Sequence, residues 1–223
     1  TGIFAMRAAP IQVNYLGYSG TMAAEYMDYI IADQTIIPEN MKQHYSESIA
    51  YLPYSYMVTD SLTKNSKMKF TRKDEELPAN GFVFCCFNKH YKIAPNTFFA
   101  WMRILKKVEG SVLWMPEADS AIITNLKQQA IKYGVEGDRL IFAPRLALKE
   151  DHLSRMQLAD LFLDTLPYNA HTTSSDALRI GVPVLTCIGK SFTSRVSASL
   201  LNAVNLPELI TTSLEHYESL AIK

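Results

Sequence analysis

The segment 161–178 reads LFLDTLPYNAHTTSSDAL, and the fold of the whole chain can be worked out from it. Its apolar start predicts a strand, Pro167 and Asn169 predict a turn, and the hydroxyl residues after them predict the start of a helix. A helix that begins just after a strand leaves its first backbone N–H groups unpaired, at the positive end of the helix dipole. The segment therefore predicts either an anion-binding site or a plain helix cap made by a hydroxyl side chain.

Four side chains of this segment are candidates for binding. Thr172 and Thr173 can donate hydroxyl hydrogen bonds, and His171 can donate a hydrogen bond or stack on a ligand. Asp176 lies one helical turn further on, where its carboxylate could accept a hydrogen bond from a sugar hydroxyl. These side chains suit a ligand that contains both phosphate and sugar groups.

Strands and helices alternate regularly through the last two thirds of the chain. Strands are predicted at 82–87, 111–115, 139–143, 161–166 and 183–188, and helices at 96–108, 118–133, 149–159, after 171, at 193–204 and from 213. Strand–helix units of this length predict a parallel sheet covered on both faces. Ligands of such sheets bind beyond the carboxyl ends of the strands, where polar residues stand at 89–92, 149–152 and 171–173.

The first third of the chain predicts a smaller α/β unit. Strands are predicted at 11–16, 29–33 and 49–53, with a turn at 17–21, a short helix before the second strand and another helix at 36–45. The polar, charged stretch 60–80 has no apolar period and predicts a solvated connector. We therefore place a domain boundary near residue 75, with one unit in 1–75 and the other in 76–223.

Composition excludes several classes of protein. The 223 residues carry no net charge, which argues against binding of nucleic acid by bulk charge. The three cysteines fit neither a disulfide framework nor a zinc site, and they predict a reducing, cytoplasmic location. No apolar segment reaches membrane-spanning length. The chain begins at Thr1 and stops within a helical pattern, so we interpret it as a piece of a longer protein.

A diphosphate ligand would meet positive partners at the predicted strand ends. Lys92 follows the 82–87 strand, and the helix after His171 offers its positive end. The sequence contains no Asp-x-Asp pair of the kind that holds a divalent metal against phosphates. One well-aimed donor in a closed site contributes about 3–4 kcal/mol to transition-state stabilisation. The pattern therefore favours metal-independent transfer from a nucleotide-activated donor, although Lys92 taken alone could be an ordinary surface lysine.

Two stretches in particular carry a resemblance to a known family: LDTLPYNAHTT at 163–173 and NKHYKI at 88–93. Further matching stretches are APIQ at 9–12, LGYSGT at 16–21, MDYIIAD at 27–33, YSE at 45–47, SVLW at 111–114 and ASL at 198–200. With these motifs the chain resembles the catalytic region of the O-linked N-acetylglucosamine transferase family, which also includes SPINDLY-type O-fucosyltransferases.

The resemblance implies an α/β glycosyltransferase of the B type with two lobes. It implies an inverting, metal-free enzyme without a cofactor, which transfers N-acetylglucosamine from UDP-GlcNAc to Ser or Thr of proteins. Residues 1–75 would then be the end of the first lobe with its connector, and 76–223 the Rossmann-like lobe that binds the nucleotide sugar. Tetratricopeptide repeats would lie upstream, and neither nucleic acid nor membrane would be a partner. GDP-fucose or UDP-glucose as donor, or a non-catalytic binding module, are the alternatives.

The resemblance also implies a role for individual residues. Lys92 and His171 would be catalytic, and the diphosphate would be bound by Lys89, Lys92, His171, Thr172 and Thr173. The base and ribose would be bound by Ala147, Lys149, His152, Arg155 and Asp176. Leu16 and Gly17, from the first lobe, would line the sugar pocket.

Overall fold

The computed structural model describes residues 2–60, 62 and 66–223. Its strands are β1 (Val13–Asn14), β2 (Tyr29–Ala32), β3 (Ser48–Tyr51), β4 (Val83–Cys85), β5 (Val112–Pro116), β6 (Leu140–Ala143), β7 (Leu161–Leu163), β8 (Val184–Cys187) and β9 (Ile210–Thr211). Its α-helices are α1 (Gly2–Ala5), α2 (Pro95–Lys107), α3 (Ser120–Lys132), α4 (Lys149–Met156), α5 (Thr172–Arg179), α6 (Val196–Ala203) and α7 (Leu214–Ile222). Short 3-10 helices lie at Glu39–His44, His90–Lys92, Gly137–Arg139, Phe192–Ser194 and Pro207–Leu209.

The strands form two sheets, and every strand pair in them is parallel. The first sheet has the order β1-β2-β3, and the second has the order β6-β5-β4-β7-β8-β9. In the second sheet the chain moves outward from β4 to β6 and then returns to place β7 beside β4. The strand order therefore reverses between β4 and β7, and this reversal opens a crevice at their carboxyl ends.

The core of the larger unit lies between the second sheet and its helices. All three residues of β4 are completely buried, and so are the indole-bearing residues Trp101 of α2 and Trp114 of β5. Trp101 donates a hydrogen bond to the hydroxyl of Tyr217 at 3.1 Å, which ties α2 to α7 inside the core. Strands buried on both faces explain why the sequence reads as short apolar runs rather than as alternating patterns.

The predicted alternation of strands and helices after residue 82 is confirmed, and the misses lie in irregular segments. The segment before β2 is not helical, because the buried Glu47 carboxylate accepts hydrogen bonds from the Thr21 hydroxyl at 2.6 Å and from the Met22 amide at 2.5 Å. The helix predicted at 36–45 is the shorter 3-10 helix Glu39–His44. β9 was not predicted, because two residues are too few to show a pattern.

The predicted connector is only partly a solvated segment. Residues 61 and 63–65 lie outside the described part of the chain. Further on, Arg72 donates to the Leu158 carbonyl at 3.2 Å and pairs with Asp160 at 2.7 Å, and Leu77 is buried. The second half of the connector is therefore packed against the larger unit, and the domain boundary near residue 75 stays a prediction.

A second, smaller core joins the two sheets. In it Ile30, Ala32, Ile36, Ile37 and Tyr56 pack against Phe192, Val196 and Leu200. The buried Asp33 carboxylate lies beside this core and accepts hydrogen bonds from the Ile36 amide at 2.9 Å, the Tyr56 amide at 2.8 Å and the Ser199 hydroxyl of α6 at 2.6 Å. Since Ser199 belongs to the larger unit, Asp33 holds the end of the first sheet onto α6.

None of the helices in the described part of the chain is both long and apolar enough to cross a lipid bilayer.

Replacing Asp33 with Ala should lower the free energy of unfolding by at least about 3 kcal/mol, because it leaves several buried donors without an acceptor. Asp138→Ala is the matched control, since Asp138 is exposed in the 3-10 helix before β6. Urea denaturation followed by circular dichroism measures both variants. Equal stability of the two variants would contradict the assigned role of Asp33.

Candidate functional site

The residues predicted to bind phosphate meet at the crevice between β4 and β7. Lys92 ends the 3-10 helix that follows β4, and His171 immediately precedes α5, which follows β7. The Lys92 ammonium donates a hydrogen bond to the Asn169 carbonyl at 2.9 Å, although the two residues are 77 positions apart in the chain. The structure thus brings Lys92 to the loop between β7 and α5.

That loop is fixed from within by Asp164, the first residue after β7. Its buried carboxylate accepts hydrogen bonds from the Thr165 amide at 2.8 Å, the Ala170 amide at 2.6 Å and the Thr186 hydroxyl at 2.7 Å. Burial raises the pKa of Asp164 to about 6, against the lowering effect of these hydrogen bonds and of one from Ser197. Asp164 is therefore a structural hydrogen-bond acceptor at the end of β7.

A chain of side-chain hydrogen bonds joins the loop to β4 and to α5. Thr173 donates to the Asn88 amide oxygen at 2.6 Å, and the Asn88 amide nitrogen donates to Thr165 at 2.8 Å. Thr165 in turn donates to the Tyr168 carbonyl at 2.7 Å. The hydroxyl of Thr173 is therefore used within the loop, and the N-cap residue of α5, His171, makes no side-chain cap hydrogen bond. The structure therefore contradicts the prediction of a plain helix cap made by a hydroxyl side chain.

Lys92 occupies a half-buried position beside an aromatic ring. Its Nζ lies 4.1 Å from the centroid of the Tyr168 ring. Burial lowers the pKa of Lys92, and the negative charge of Asp164 opposes that effect. An ammonium group that has left water in part gains more from a bound anion than a solvated one does. The reading of Lys92 as an ordinary surface lysine does not fit this environment.

His171 is largely buried and stacks on the same aromatic ring. Its ring centroid lies 5.1 Å from that of Tyr168, with an angle of 22° between the planes. Burial lowers the pKa of His171 to about 4; the Lys92 charge adds to the effect, and the Thr193 carbonyl opposes it. Its Nε2 atom is buried and has no hydrogen-bond partner among the described residues. The imidazole is therefore neutral at neutral pH.

Four of the five residues predicted to bind base and ribose line a cleft of about 770 Å³: Ala147, Lys149, His152 and Arg155. Lys89, predicted to bind the diphosphate, lines the same cleft, whereas Asp176 does not. A cleft of this size, whose wall combines apolar residues with several charged side chains, suits a nucleotide-sized ligand. Lys149 pairs with Asp176 at 3.0 Å, so the cleft and α5 are directly connected.

His152 and Arg155 form one packed unit at the base of the cleft. The His152 ring meets Phe87 edge-to-face at 4.9 Å, and burial followed by the Arg155 charge lowers the pKa of His152. Arg155 is only 2% exposed, donates to the Pro144 carbonyl at 2.7 Å and lies 3.6 Å from the Glu75 carboxylate. Arg155 and Phe87 thus hold the His152 ring in place.

Leu16 and Gly17 lie in a different part of the molecule. Leu16 has a positive φ of 61°, and the Gly17 amide donates to the Tyr15 carbonyl at 2.7 Å, which makes a tight turn after β1. Gly17 lines a separate cavity of about 460 Å³. The Tyr15 hydroxyl donates to the Tyr56 carbonyl at 2.9 Å, so this turn is tied to the core that joins the sheets. The structure does not bring these two residues into the large cleft.

Comparison with known proteins gives the family. The family model described as Glycosyl transferase family 41 matches residues 1–70 and 62–223. The chain belongs to this family. Its resemblance to O-linked N-acetylglucosamine transferases is thereby confirmed.

Relatives within family 41 are similar over the whole of this chain. A probable UDP-N-acetylglucosamine–peptide N-acetylglucosaminyltransferase SEC from Arabidopsis thaliana is 40% identical over 226 residues, which cover 99% of this chain and 23% of that protein. A probable transferase of the same description, SPINDLY from Oryza sativa subsp. japonica, is 33% identical over 99% of this chain and 24% of its own length. The chain thus spans about a quarter of the length of these relatives.

Solved structures confirm the expected fold. A mutant of the Thermobaculum terrenum O-GlcNAc transferase superposes with a TM-score of 0.86 at 30% identity, over 98% of this chain and 41% of that one. WaaG, a glycosyltransferase of lipopolysaccharide biosynthesis, superposes with a TM-score of 0.52 at 14% identity, over 91% and 60% of the two chains, which shows a shared fold. The family 41 chain therefore has the α/β fold of B-type glycosyltransferases.

Sequence reasoning missed several residues of the family 41 site. Tyr168 and Asn169 contact Lys92 and lie inside the segment 161–178, which predicts the strand, turn and helix of this site. Asn88 precedes Lys89 in the matched motif at 88–93 and could have been found there. His90, which lines the cleft, stood among the polar strand-end residues 89–92 but received no individual role, because its neighbours in space are the distant Pro116 and Phe142.

His171 should make the family 41 chain less stable in acid. A histidine whose pKa is lower in the folded than in the unfolded state makes its full contribution to stability above pH 6.5, where it is neutral in both states. This contribution is lost as the pH falls towards 4. Between pH 7 and pH 5 the wild type should lose about 1–2 kcal/mol more than His171→Gln.

Urea denaturation at the two pH values measures this difference. Asp164 acts in the opposite direction, because its raised pKa favours the folded state as the pH falls through 6, so the comparison must be made between variants. His216→Gln, on the exposed side of α7, is the control and should keep the wild-type pH dependence. An unchanged pH dependence in His171→Gln would show that His171 titrates normally.

Proposed function

We propose that this chain is the nucleotide-sugar-binding part of a protein O-GlcNAc transferase, which moves N-acetylglucosamine from UDP-GlcNAc to Ser or Thr of protein acceptors. The observation that carries the proposal is the meeting of Lys92, His171 and the start of α5 at the crevice between β4 and β7, next to a cleft of about 770 Å³. The names of the Arabidopsis and rice relatives support UDP-GlcNAc as donor and peptide as acceptor.

The reaction is an inverting substitution at the anomeric carbon. The acceptor hydroxyl oxygen forms a bond to that carbon and loses its proton to a base or to solvent, while the bond from the carbon to the diphosphate oxygen breaks and the leaving UDP takes the electron pair as growing negative charge. Lys92 and the unpaired N–H groups at the start of α5 lie where they would stabilise that charge. Thr172 and the neutral His171 add donors or packing at the same place. We propose that these groups balance the charge without a metal or other cofactor.

The cleft would hold the nucleoside. His152 would pack on the base, with Ala147 binding it through its backbone and Arg155 holding His152 in place. Lys149 and Asp176 would bind the ribose hydroxyls, since their ion pair stands between the cleft and α5. Lys89, which lies in the wall of the cleft, would approach the diphosphate.

The wider setting follows the family. Residues 1–75 would belong to the first lobe, whose Leu16 and Gly17 would reach the sugar, and tetratricopeptide repeats would lie upstream in the full-length protein. The three cysteines are unpaired and buried, which supports a reducing, cytoplasmic location. GDP-fucose and UDP-glucose are less favoured as donors, because the relatives are named for UDP-N-acetylglucosamine.

Isothermal titration calorimetry of this chain in EDTA should show binding of UDP with the same affinity as in magnesium, since the proposed phosphate partners are Lys92 and a helix end. GDP serves as the comparison ligand and should bind more weakly. Binding of UDP that appears only with magnesium or manganese would contradict the proposal.

In the full-length protein, Lys92→Met should lower kcat by at least about a hundredfold, the scale expected when one strong electrostatic contact to the transition state is lost. The affinity for UDP should fall much less, because the start of α5 remains. Steady-state kinetics and UDP titration on the same folded protein separate the two effects.

Lys107→Met is the matched control for this variant, since Lys107 is exposed at the end of α2 and should leave both quantities unchanged. A near-normal kcat in Lys92→Met would remove Lys92 from the mechanism. Equal losses in kcat and in UDP affinity would reduce its role to binding alone.

A further inference from the structure

The ring of Tyr168 touches both groups that the proposed function places at the diphosphate. The Lys92 Nζ lies 4.1 Å from its centroid, and the His171 ring stacks on it at 5.1 Å. Tyr168 itself is 38% exposed, so the ring stands at the mouth of the crevice rather than in the core. Nothing in the motifs of the sequence assigns this residue a role.

The contacts of Lys92 show that its ammonium group needs the Tyr168 ring as a second contact. Within the described residues its ammonium donates one hydrogen bond, to the Asn169 carbonyl, and no carboxylate lies within ion-pair distance. A long, flexible lysine side chain held at one point can rotate about that bond. The face of an aromatic ring attracts a cation, and the ring of Tyr168 therefore provides the second contact. The remaining ammonium hydrogens stay available to an anion.

The contacts of His171 lead to the same ring. Its imidazole stacks on Tyr168 with an angle of 22° between the planes, so the ring plane is fixed although Nε2 has no hydrogen-bond partner among the residues that the structure describes. A neutral imidazole next to Lys92 does not repel the ammonium. Since Lys92 and His171 both contact the Tyr168 ring, a movement of this ring would displace both.

The backbone of Tyr168 is itself held in place. Its carbonyl accepts from the Thr165 hydroxyl at 2.7 Å, and Thr165 accepts from Asn88 at 2.8 Å. Asn88 also accepts from Thr173 at 2.6 Å, which links the loop to the first turn of α5. The ring is therefore presented by a fixed loop, as a positioning element requires.

We propose that Tyr168 is a positioning residue whose ring fixes the Lys92 ammonium and the His171 imidazole relative to each other at the diphosphate site. This inference rests on the proposed function and deepens it. Tyr168 is not a catalytic residue in this role, because it acts through Lys92 and His171. If the ring instead only fills space on the surface, an aliphatic side chain of similar size would serve equally well.

Two substitutions separate these roles in the full-length protein. Tyr168→Phe keeps the ring and both contacts, so kcat should stay within about twofold of wild type, whereas Tyr168→Leu removes the ring and should lower kcat by at least about tenfold with little change in KM. Tyr91→Leu is the matched control, because Tyr91 precedes Lys92 and is 84% exposed. A kcat in Tyr168→Leu equal to that of Tyr168→Phe would overturn the proposal.

A double variant tests whether Tyr168 acts through Lys92. If it does, adding Tyr168→Leu to Lys92→Met should lower kcat by clearly less than the tenfold expected in the wild-type background, since only His171 remains of the two groups that the ring positions. A further loss of tenfold would show that the ring acts independently of Lys92 and would contradict the proposal. Absence of UDP binding and transfer in the wild type would instead overturn the proposed function. Loss of kcat in Lys92→Met with none in Tyr168→Leu would overturn the role of Tyr168 alone.

A measurement on the wild-type chain keeps the test independent of how the variants fold. Protons above an aromatic ring face are shifted upfield in the NMR spectrum, so the ε-methylene protons of Lys92 should lie upfield of those of Lys107 in a sample with ¹³C-labelled lysine. The signal is assigned by its loss in Lys92→Met. Ordinary chemical shifts for Lys92 would show that the ring does not cover the ammonium in solution and would overturn the proposal.

Discussion

The carboxylate of Asp164 lies completely buried at the carboxyl end of β7, where it accepts hydrogen bonds from the Thr165 and Ala170 amides. These two amides stand near opposite ends of the loop that leads to α5, so one side chain fixes the loop as a closed unit. The Thr186 hydroxyl of β8 supplies a further donor. Burying a charge is costly unless it is fully hydrogen-bonded, and this requirement determines the shape of the loop. The positions of Tyr168, Asn169 and His171 follow from it.

In the proposed function the site is electrostatically prepared for an anion before any ligand binds. Lys92 is half-buried and makes a single hydrogen bond within the described part of the chain, and the N-cap residue of α5 makes no side-chain cap. His171 stays neutral beside them because burial lowers its pKa to about 4. Placing donors in advance avoids the cost of reorganising them when charge develops on a leaving group. The burial that prepares these groups for binding also makes the empty site a source of instability in acid.

The first sheet is connected to this site through Tyr56. Burial raises the pKa of Tyr56, its hydrogen bond with the Ser19 side chain opposes the rise, and the charge of Asp33 adds to it. Its ring also meets Phe192 edge-to-face at 5.0 Å. A shared core of this kind resists independent movement of the two sheets.

The sequence by itself determined the order of strands and helices after residue 82, the parallel sheet and the strand ends that carry Lys92 and His171, because these features depend on periodicity within short windows. The sequence did not predict the irregular segment before β2, since the distant Glu47 carboxylate accepts a backbone hydrogen bond from that segment. Only the tertiary structure decided that β4 and β7 lie side by side and that Lys92 meets Asn169 across 77 positions. The tertiary structure also decided that His171 is neutral and that Tyr168 lies between Lys92 and His171. Burial and ring contacts depend on residues far apart in the chain, and no local pattern records them.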